Sequence, residues 1–338
     1  MATILDVAKK ANVSIATVSR VINKQDKVKP STRAKVLEAI KSLNYSPNSV
    51  ARSLKTETTM NIGIIIQDIA NEHLANFCSG LSNVVTPHHY IPLIASTNNQ
   101  AEVERDFLQS MMNRRVDGLV IHSCGSNNKL ISEISKIIPT VALYRRVNSE
   151  AYAGDFIDND NREPVYLLTK QLIEKGHRRI FIINGPLNVS TGYERFSGFI
   201  QAMGEIGITV DSDYPYQYES NFLYEGGIRG CENMLLKKGV TALVTTNAEL
   251  LLGALTVLDS KALNIPSDYS VVSYAQPASI KLFKTPITCA EQNSYQLGQN
   301  AAEMLLSRIQ DSRIPPREQL FPAPIMNGRS IAQVDSNI

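Results

Sequence analysis

The sequence has few of the features expected of an exported, disulfide-bonded or membrane-anchored protein. It is 338 residues long and has four cysteines, Cys78, Cys124, Cys231 and Cys289, which lie far apart and form no CxxC pair. Asp6 interrupts the stretch where a signal peptide needs an apolar run. No segment approaches the roughly 18 apolar residues of a membrane span. We therefore expect a cytoplasmic protein with reduced thiols and no contact with a membrane.

The common enzyme and metal signatures are also missing. The chain has no GxGxxG after a strand, no GxxxxGK[ST], no HExxH and no GxSxG. Its five histidines are scattered, and none stands at metal-ligand spacing from a cysteine. We therefore predict no catalytic residue, no metal and no cofactor. His177 follows a predicted helix, whose dipole favours a positive charge there, so we predict a structural role for it. His88 and His89 are predicted to form a turn.

Charge is distributed unevenly along the chain. The net charge is +2, but residues 1–60 carry 11 Lys and Arg against 4 Asp and Glu, whereas the remainder carries 23 against 28. A basic segment ahead of a mildly acidic body suggests a polyanionic partner for that segment alone. The alternative is a basic face that is only solvated. The length favours two or three domains.

Residues 1–45 show the patterns of three short helices. Thr3 followed by Asp6 resembles a capping box at the start of the first helix, and Asn12 is a suitable end for it. The third helix is predicted to begin at Pro30. Its apolar stripe extends over four residues: Val36, Leu37, Ile40 and Leu43. Together with the helix between them, these segments form a helix-turn-helix pattern.

The second helix lies in the stretch VSIATVSRVIN, with Ser14 as its predicted N-cap and Asn23 as its end. At about 100° per residue, one side of this helix is apolar and suited to a core. The opposite side carries Ile15, Ala16, Ser19 and Arg20. In a major groove an apolar side chain contacts a thymine methyl, and an arginine donates two hydrogen bonds to guanine. We therefore expect Ile15, Ala16 and Arg20 to read bases.

Residues 46–57 are predicted to form a short helix, because Ser46 is a suitable cap and Pro47 suits the first helical position. A helix of two turns is marginally stable alone. One interpretation is therefore a flexible linker. The other is a segment that folds with a second copy in a minor groove, with Leu54 between base steps and Asn48 near the backbone.

The run from residue 1 to 55 resembles the DNA-binding head of the LacI family of bacterial regulators, notably in ATILDVAKKANVSIATVSRVIN and STRAKVLEAIKSLNYSPNSVARSLK. The resemblance implies a helix-turn-helix domain at residues 1–46 and a hinge helix with a linker at 47–60. It implies that Leu54, with Ala51, enters the minor groove at the central CG of a pseudo-palindromic DNA operator. It further implies phosphate contacts for Thr3, Ser14, Thr17, Ser19, Asn23, Thr32, Tyr45 and Asn48.

From residue 61 onward, short aliphatic runs alternate with amphipathic segments of helix length. The predicted strands are residues 62–66, 90–95, 118–121, 140–143, 180–183, 242–245 and 270–274. Such alternation predicts parallel sheets covered by helices on both faces. The fold class is therefore a small all-α head with an α/β body of two doubly wound subdomains. We place the subdomains at residues 61–159 with 292–321, and at 160–291 with 322–331.

Polar residues follow these strands at the end where parallel sheets bind ligands. Arg195, at the start of a predicted helix, adds a fixed charge that suits a carboxylate or a hydroxyl pair. Each of these residues is equally compatible with a cap or a turn, but together they predict a binding cleft. The residues that follow strands are Gln67, Asp68, Tyr144, Arg145, Asn184, Asn247, Ala275 and Gln276.

The resemblance extends through the body, in RRVDGLVIHS, IDNDN, EKGHRRIFIINGP and GYERFSGF. These segments resemble the effector-binding core of the LacI family, which is similar to periplasmic sugar-binding proteins. The resemblance implies three crossings between subdomains, near 158–162, 289–293 and 320–324. It places Asp158 at the first crossing and makes Arg195 the residue that grips the effector. The expected effector contacts are Asp68, His73, Tyr144, Arg145, Asp158, Arg195, Asn247 and Gln276.

The departures from the family pattern bear on the ligand. Asn247 is followed by alanine where the family usually has Asn-Asp, and residues 273–276 read SYAQ where it usually has Gly-Phe-Asp-Asp. His73 and the following leucine replace an aromatic pair. Two carboxylates that commonly bind sugar hydroxyls are therefore absent, whereas Arg145 and Arg195 are present. This favours an anionic or phosphorylated sugar over a neutral sugar.

We therefore predict a DNA-binding transcription factor, a repressor of a carbohydrate or other catabolic operon, controlled by a small-molecule effector. The C-terminal segment lacks leucine heptads, which predicts a homodimer. One alternative is a cytoplasmic solute-binding or sugar-processing protein whose basic head binds DNA without sequence preference. Another is an architectural protein that bends DNA without an effector.

Overall fold

The computed structural model describes residues 2–22, 28–45, 58–277 and 284–334. The chain divides into two compact units, Met1–Thr59 and Met60–Ile338, here called the head and the body. The predicted hinge helix lies outside the described residues. So do four of the predicted DNA contacts: Asn23, Asn48, Ala51 and Leu54.

The described part of the head contains the three helices that the sequence predicts. They are α1 (Ile4–Ala11), α2 (Ile15–Ile22) and α3 (Pro30–Ser42). The predicted caps are confirmed. Thr3 and Asp6 form a capping box, and Asn12 ends α1 in the left-handed conformation. The Ser14 hydroxyl accepts a hydrogen bond from the backbone N–H of Thr17 at 3.2 Å, which caps α2.

A small apolar core joins the three helices. Val7, Val18 and Val36, one from each helix, are fully buried. The predicted stripe of α3 is wrong at Leu37, which is 53% exposed, whereas Ala39 is buried. Ala39 lies about 300° around the helix from Val36, and therefore on nearly the same side, while Leu37 is about 100° away.

The body contains two six-stranded sheets. The first contains β1 (Asn61–Ile66), β2 (Ile91–Ser96), β3 (Gly118–Ile121), β4 (Thr140–Leu143), β5 (Asp155–Asn159) and β11 (Glu318–Phe321). The second contains β6 (Ile180–Asn184), β7 (Gln217–Glu219), β8 (Ala242–Thr245), β9 (Ser270–Ser273), β10 (Thr288–Ala290) and β12 (Ile325–Met326). Their strand orders, β11-β5-β4-β3-β1-β2 and β12-β10-β9-β8-β6-β7, correspond position by position. Neighbours run parallel except at β10 and β12.

Helices cover both faces of each sheet, as predicted. They are α4 (Glu72–Val85), α5 (Ala101–Asn113), α6 (Asn128–Ser135), α7 (Arg162–Glu174), α8 (Ser190–Glu205), α9 (Tyr224–Leu235), α10 (Ala248–Ser260) and α11 (Ser294–Gln310). On the first sheet, α4 and α11 pack on the face of Ile64, and α5 and α6 on the face of Ile65. On the second, α7 and α8 pack on the face of Ile182, and α9 and α10 on that of Ile183. Alternate residues of a strand thus serve opposite cores.

The chain passes between the two sheets three times, the number of crossings that the resemblance implies. These passages lie between β5 and α7, between β10 and α11, and between β11 and β12. After the second passage α11 packs against α4 at very short range. A Cβ on Gly298 would lie 2.1 Å from the Phe77 carbonyl oxygen, and one on Gly80 would lie 2.0 Å from that of Tyr295. Both positions therefore require glycine. The domain boundaries given above remain a prediction.

All seven predicted strands are present, but five further strands were missed. The missed strands are β5, β7, β10, β11 and β12, of two to five residues each. β5 reads DFIDN, so its buried positions include acidic and amide side chains that no hydrophobic pattern marks. β11 is mostly exposed at the sheet edge and carries an equally weak signal. Short, polar or edge strands depend on tertiary pairing rather than on local sequence.

His177 is structural, but the predicted reason is wrong. The ring is 1% exposed, and burial lowers its pKa, so the imidazole is neutral rather than a cation at a helix end. Nε2 lies 3.2 Å from the Ala332 carbonyl oxygen, and Nδ1 lies 2.8 Å from the Thr241 hydroxyl. A carbonyl only accepts, so Nε2 carries the proton and Nδ1 accepts from Thr241. His177 therefore fastens the C-terminal segment to the second sheet.

His88 closes a short 3-10 turn and His89 follows it in the left-handed conformation, which confirms the predicted turn. The four cysteines are buried and unpaired with one another. Burial raises the pKa of the Cys78 thiol to about 11. In the described part of the chain, no helix has the length and apolar character needed to cross a membrane. In the same part, no cluster of three or more His, Cys, Asp or Glu is arranged to hold a metal.

Candidate functional site

The outward side of α2 in the head presents the three predicted base readers. Ile15 is 46% exposed, and Ala16 and Arg20 are also exposed, whereas Val18 and Val21 are buried in the head core. Because nearly half of Ile15 is exposed to water, this side chain contributes little to the head core. The face therefore combines one apolar surface with one guanidinium, the two groups that distinguish thymine and guanine in a major groove.

The predicted phosphate contacts within the described residues all carry a hydroxyl group: Thr3, Ser14, Thr17, Ser19, Thr32 and Tyr45. Thr3 and Ser14 are exposed, but both hydroxyls already serve the helix ends: that of Thr3 donates to Asp6 at 2.7 Å, and that of Ser14 lies 2.9 Å from that of Thr17. A hydroxyl that caps a helix can still form a further hydrogen bond, because it has one proton that rotates and two lone pairs. The remaining four are half-buried: Thr17, Ser19, Thr32 and Tyr45. Tyr45 also packs against the head core.

The body contains a cavity of about 400 Å³ at the carboxyl ends of the strands of both sheets. From the first sheet, Gln67 follows β1, His122 follows β3 and Arg145 follows β4. From the second, Phe222 follows β7 and Asn247 follows β8. This volume suits a small metabolite. The strand-end rule therefore locates the cleft correctly, and both subdomains contribute to it.

Arg195 lies in the first two turns of α8 and is 6% exposed. Its Nε donates to the Asn161 side-chain oxygen at 2.8 Å, and Nη1 donates to the Thr246 carbonyl at 2.6 Å. Its guanidinium carbon lies 3.7 Å from the centre of the Tyr274 ring. The side chain is thus held by neutral groups and by an aromatic face, and no ion pair engages it among the described residues.

Arg145 enters the cavity from the first sheet and is 2% exposed. Nη1 donates to the Ser123 carbonyl at 2.9 Å and to the Asn99 side-chain oxygen at 3.1 Å. The Gln67 amide, with its oxygen turned to Arg145, accepts from Nη1 at 2.7 Å and from Nη2 at 2.9 Å. Burial, opposed in part by nearby acidic groups and reinforced by Arg195, lowers the pKa of Arg145 to about 10.

Phe222 lies close to both arginines. Its ring centre is 5.6 Å from the guanidinium carbon of Arg195 and 6.0 Å from that of Arg145. Asn247 holds this residue in place, because its Nδ2 donates to the Phe222 carbonyl at 2.8 Å while its Oδ1 accepts from the Leu250 N–H at 2.8 Å. Asn247 therefore lines the cavity as predicted, but both ends of its amide are used by the protein.

Two histidines give the cavity neutral polar atoms. His122 is 7% exposed, and burial lowers its pKa well below the usual value, with Arg145 and Arg195 acting in the same direction. Its Nδ1 has no hydrogen-bond partner among the described residues, nor has Nε2 of His73. His73 Nδ1 and the Tyr144 hydroxyl both lie near the Ser294 hydroxyl, at 3.3 and 3.2 Å.

Three carboxylates line another part of the cavity: Asp68, Glu225 and Glu249. Burial, then the charges of Asp68 and Glu225, raise the pKa of Glu249. Asp68 accepts from the Ala70 N–H at 2.8 Å, while Glu225 is exposed. The cavity thus has a buried cationic part around the arginines and a more accessible anionic part.

Six of the eight predicted effector residues line the cavity: Asp68, His73, Tyr144, Arg145, Arg195 and Asn247. Asp158 and Gln276 lie outside the lining. Asp158 is 1% exposed and accepts from the Asn159 N–H and the Asn161 amide, each at 2.7 Å, so it contacts the cavity only through Asn161 and Arg195. Burial raises its pKa well above the usual value.

Sequence reasoning missed several lining residues. The most prominent are Asn98, Asn99, His122, Thr191, Phe222, Glu225 and Glu249. His122 directly follows a correctly predicted strand, so the strand-end rule would have found it. Phe222 follows β7, which the pattern did not reveal, and its left-handed backbone, with φ of 65°, carries no signal in a phenylalanine.

A polar bridge joins the two subdomains beside the arginines. Arg146, next to Arg145, contacts Glu194 at 3.5 Å, and Glu194 precedes Arg195 in the chain. The Arg146 N–H also donates to the Ser190 hydroxyl at 3.0 Å, and its guanidinium pairs with Glu318 of β11. The backbone segments that carry the two cavity arginines are therefore tied to each other on their outer side.

Comparison with known families yields two matches. A model described as bacterial regulatory proteins, lacI family, matches residues 3–48. A model described as a periplasmic binding protein-like domain matches residues 169–331. The first covers the described helices of the head, and the second covers all six strands of the second sheet with its cavity residues.

Similar proteins span nearly the whole chain. The HTH-type transcriptional repressor PurR of Glaesserella parasuis serovar 5 (strain SH0165) is 35% identical over 332 residues, covering 95% of this chain and 94% of that protein. The repressor of the same name from Haemophilus influenzae (strain PittEE) is 38% identical over 91% of each chain. The solved lac repressor dimer bound to operator and the anti-inducer ONPF superposes with a TM-score of 0.84, at 24% identity, over 98% of this chain and 99% of that one.

Proposed function

The chain belongs to the LacI family of bacterial transcription regulators, and from this premise we propose that it represses a carbohydrate or other catabolic operon under the control of a small effector. It is a DNA-binding transcriptional repressor with an effector-binding core, and not an enzyme. Its place of action is the cytoplasm, where operator DNA is accessible.

The exposed face of α2 carries this proposal. Ile15, Ala16 and Arg20 lie together in water on a helix whose other side is fixed in the head core. A basic face that is only solvated needs no aliphatic side chain beside its guanidinium, whereas a face that reads bases uses both groups. In a major groove, Ile15 contacts a thymine methyl and Arg20 pairs with guanine. The hydroxyls of Thr3, Ser14, Thr17, Ser19, Thr32 and Tyr45 bind phosphates.

The proposed operator is a pseudo-palindrome with a central CG step, bound by a homodimer. Leu54, assisted by Ala51, wedges into that step, and Asn23 and Asn48 add phosphate contacts.

The edge of the first sheet supports the homodimer, because β2 pairs on one side only among the described residues and exposes Ile91 and Ile94 by 59% and 41%. An edge strand with exposed isoleucines is suited to cover by a second copy. Sedimentation of Ile94→Asp as a monomer would support this use of the edge.

The proposed effector is a sugar or an anionic, phosphorylated sugar bound in the cavity. Because residues from both sheets line the cavity, a ligand that contacts both favours one relative position of the subdomains. The bridge from Arg146 to Glu194 connects the segments behind the two arginines, so a change at the cavity changes this bridge as well. Effector binding and operator binding then share one conformational equilibrium.

The proposal is tested by selecting bound sequences from random duplex DNA with the full-length protein at near-physiological salt. The expected result is a two-fold symmetric motif with half-sites about one helical turn apart and a central CG. Leu54→Ala should lose the preference for the central step only. Lys41→Ala, which removes an exposed charge from α3 of the head, is the control and should retain the whole motif.

The rival interpretation, a solute-binding or sugar-processing protein with a non-specific basic head, predicts no enriched motif with any variant. An architectural protein predicts DNA bending that no small molecule alters. Enrichment of a symmetric motif would reject the first, and release or capture of that motif by a cavity ligand would reject the second.

A further inference from the structure

The two buried cavity arginines lack the partner that a third buried arginine has. Arg145, Arg195 and Arg308 are 2%, 6% and 5% exposed. Arg308 pairs with the fully buried Asp155 through two hydrogen bonds. Neither Arg145 nor Arg195 forms an ion pair with a carboxylate in the described parts of the chain. A buried charge without a counter-charge is costly, so its retention at a cavity wall indicates a ligand of opposite charge.

We propose that the ligand of this cavity is an anion, a hydroxylated small molecule whose carboxylate or phosphate group binds between Arg145 and Arg195. The inference rests on the proposed function, in which this cavity is the effector site. The two guanidiniums come from different sheets, and Phe222 lies within 6.0 Å of both. An acid group placed there contacts both subdomains at once.

The donors needed for such a group are available. Among the described residues, Nε of Arg145 is a buried donor without a hydrogen-bond partner. Nδ1 of His122 is also buried without a partner there, and it is a donor in one of the two neutral tautomers. Nη2 of Arg195 donates to no acceptor among the described residues, whereas Nε donates to the Asn161 side-chain oxygen and Nη1 to the Thr246 carbonyl. Planar guanidinium groups bind carboxylate and phosphate oxygens in pairs, and charge-assisted bonds of this kind are about twice as strong as neutral ones.

Asp158 does not provide the missing counter-charge. It lies near Arg195, but its two oxygens accept from Asn159 and Asn161, and it forms no ion pair with the guanidinium. Burial favours its protonated, neutral form. Glu104, which is fully buried and raises the pKa of Arg145, accepts instead from the Cys124 N–H and the Asn127 amide and forms no ion pair with the guanidinium. Direct contact between the arginine pair and an acid group is therefore left for a ligand.

The rest of the lining specifies the body of the ligand. Asp68 and Glu249 are acceptors, and His73 and Asn98 add neutral polar atoms. Carboxylates accept from hydroxyl groups but repel a second acid group. A molecule with one acid end and several hydroxyls, of a size that fits about 400 Å³, satisfies both parts of the cavity. A sugar acid and a sugar phosphate share this chemistry.

Calorimetric titration of the full-length protein, without DNA and at constant ionic strength, tests the proposal. The probes are D-glucose, D-gluconate, D-glucose 6-phosphate and inorganic phosphate. We expect binding by inorganic phosphate and by at least one of the two hydroxylated anions, with D-glucose weaker by about tenfold or more. Tighter gluconate identifies a carboxylate site, and tighter glucose 6-phosphate identifies a phosphate site.

Variants show whether the arginine pair is responsible. Arg145→Gln should weaken anion binding by about tenfold or more, and Arg145→Lys should weaken it less because the charge remains. Arg313→Gln, which removes an arginine whose side chain is 88% exposed, is the matched control and should bind as the wild type does. If Arg145→Gln does not fold, Arg145→Lys against Arg313→Gln still gives the comparison.

Three results would overturn the proposal: D-glucose binding as tightly as the anions, no anion binding at all, or anion binding that Arg145→Gln leaves unchanged. None of these affects the selection of operator DNA by the head. If a symmetric motif is still enriched, the proposed repressor stands and only the ligand class is wrong. If no motif is enriched but anions bind through Arg145, the proposed function has failed and the ligand class remains.

Discussion

The head and the body place their functional arginines in opposite environments. Arg20 is exposed on a helix whose inner side forms the head core, whereas Arg145 and Arg195 are nearly completely buried at a cavity wall. An exposed arginine is stabilised by water until DNA replaces the water, so it imposes little cost on folding. A buried arginine without a counter-charge lowers the free energy of unfolding whenever no ligand is bound. Sites for a macromolecule and for a small molecule therefore differ in how they are linked to the stability of the fold.

The largest expected effect on stability comes from Asp155→Asn in the body. This change leaves the buried Arg308 without its counter-charge and removes the 2.6 Å contact with Arg317. Breaking a buried pair from one side costs about 3–5 kcal/mol, which urea denaturation of the full-length protein would measure. Asp311→Asn breaks an exposed pair with Arg313 and should cost at most about 1 kcal/mol. Equal effects of the two substitutions would contradict the assignment.

Arg20→Ala should change DNA recognition without changing stability. Loss of a bidentate contact to guanine costs about 1–3 kcal/mol of operator affinity and relaxes the preference at one position of each half-site. The free energy of unfolding should stay within about 0.5 kcal/mol of wild type, because the side chain is exposed. Fluorescence anisotropy with a panel of single-base operator variants measures the first effect. A uniform loss across all sequences would instead assign Arg20 to a phosphate.

Acid should destabilise the body through buried histidines that the head lacks. Burial lowers the pKa values of His73, His122 and His177, so these groups bind protons more readily in the unfolded chain. The free energy of unfolding is not reduced by these histidines above their unfolded pKa of about 6.5. As pH falls below that value, it decreases by up to about 1.4 kcal/mol per pH unit for each histidine. Hydrogen exchange of the full-length protein, followed by segment, should show this loss in the body.

His177→Gln separates one histidine from the others. Below about pH 6.5, the free energy of unfolding of this variant should decrease less steeply with falling pH, by up to about 1.4 kcal/mol per pH unit, because one histidine no longer titrates. The residue lies away from the cavity and contacts Thr241 and Ala332, so ligand binding should not change. An unchanged slope would show that the ring is not buried in its neutral form in solution.

The smallest expected effect is a gain of stability in Arg145→Gln. Removing a buried charge that lacks a counter-ion should leave the body as stable as wild type or stabilise it by up to about 1 kcal/mol when no ligand is present, because functional sites often cost stability. Thermal unfolding with and without added anion measures this. A loss comparable to that of Asp155→Asn would indicate that Arg145 is a structural residue.

The sequence predicted the architecture well where a pattern repeats. Runs such as residues 62–66 and 242–245 mark strands buried on both faces, and the strand-end rule then places Arg145 and Asn247 at one cavity. It failed where tertiary contacts decide. Strand β7 has no distinctive pattern, so Phe222 was not found, although its ring centre lies within 6.0 Å of the guanidinium carbons of both arginines.

Burial and hydrogen bonding also determine which predicted residues remain available to a ligand. The resemblance to the family predicts that Asp158 contacts the effector. In the structure, however, both of its carboxylate oxygens accept hydrogen bonds from Asn159 and Asn161. Asn247 lies in the lining, but its amide caps α10 and holds Phe222. A sequence identifies the type of side chain at a strand end, but not the other hydrogen bonds that this side chain forms.

The measurement that tests the central claim most directly is operator affinity of the full-length protein with and without the probe anions, at constant ionic strength, in wild type and in Arg145→Gln. The account predicts that D-gluconate or D-glucose 6-phosphate changes wild-type affinity by about tenfold, within the usual range of allosteric coupling, while the variant binds operator and does not respond. A response to D-glucose alone, or an anion response retained in Arg145→Gln, would contradict it.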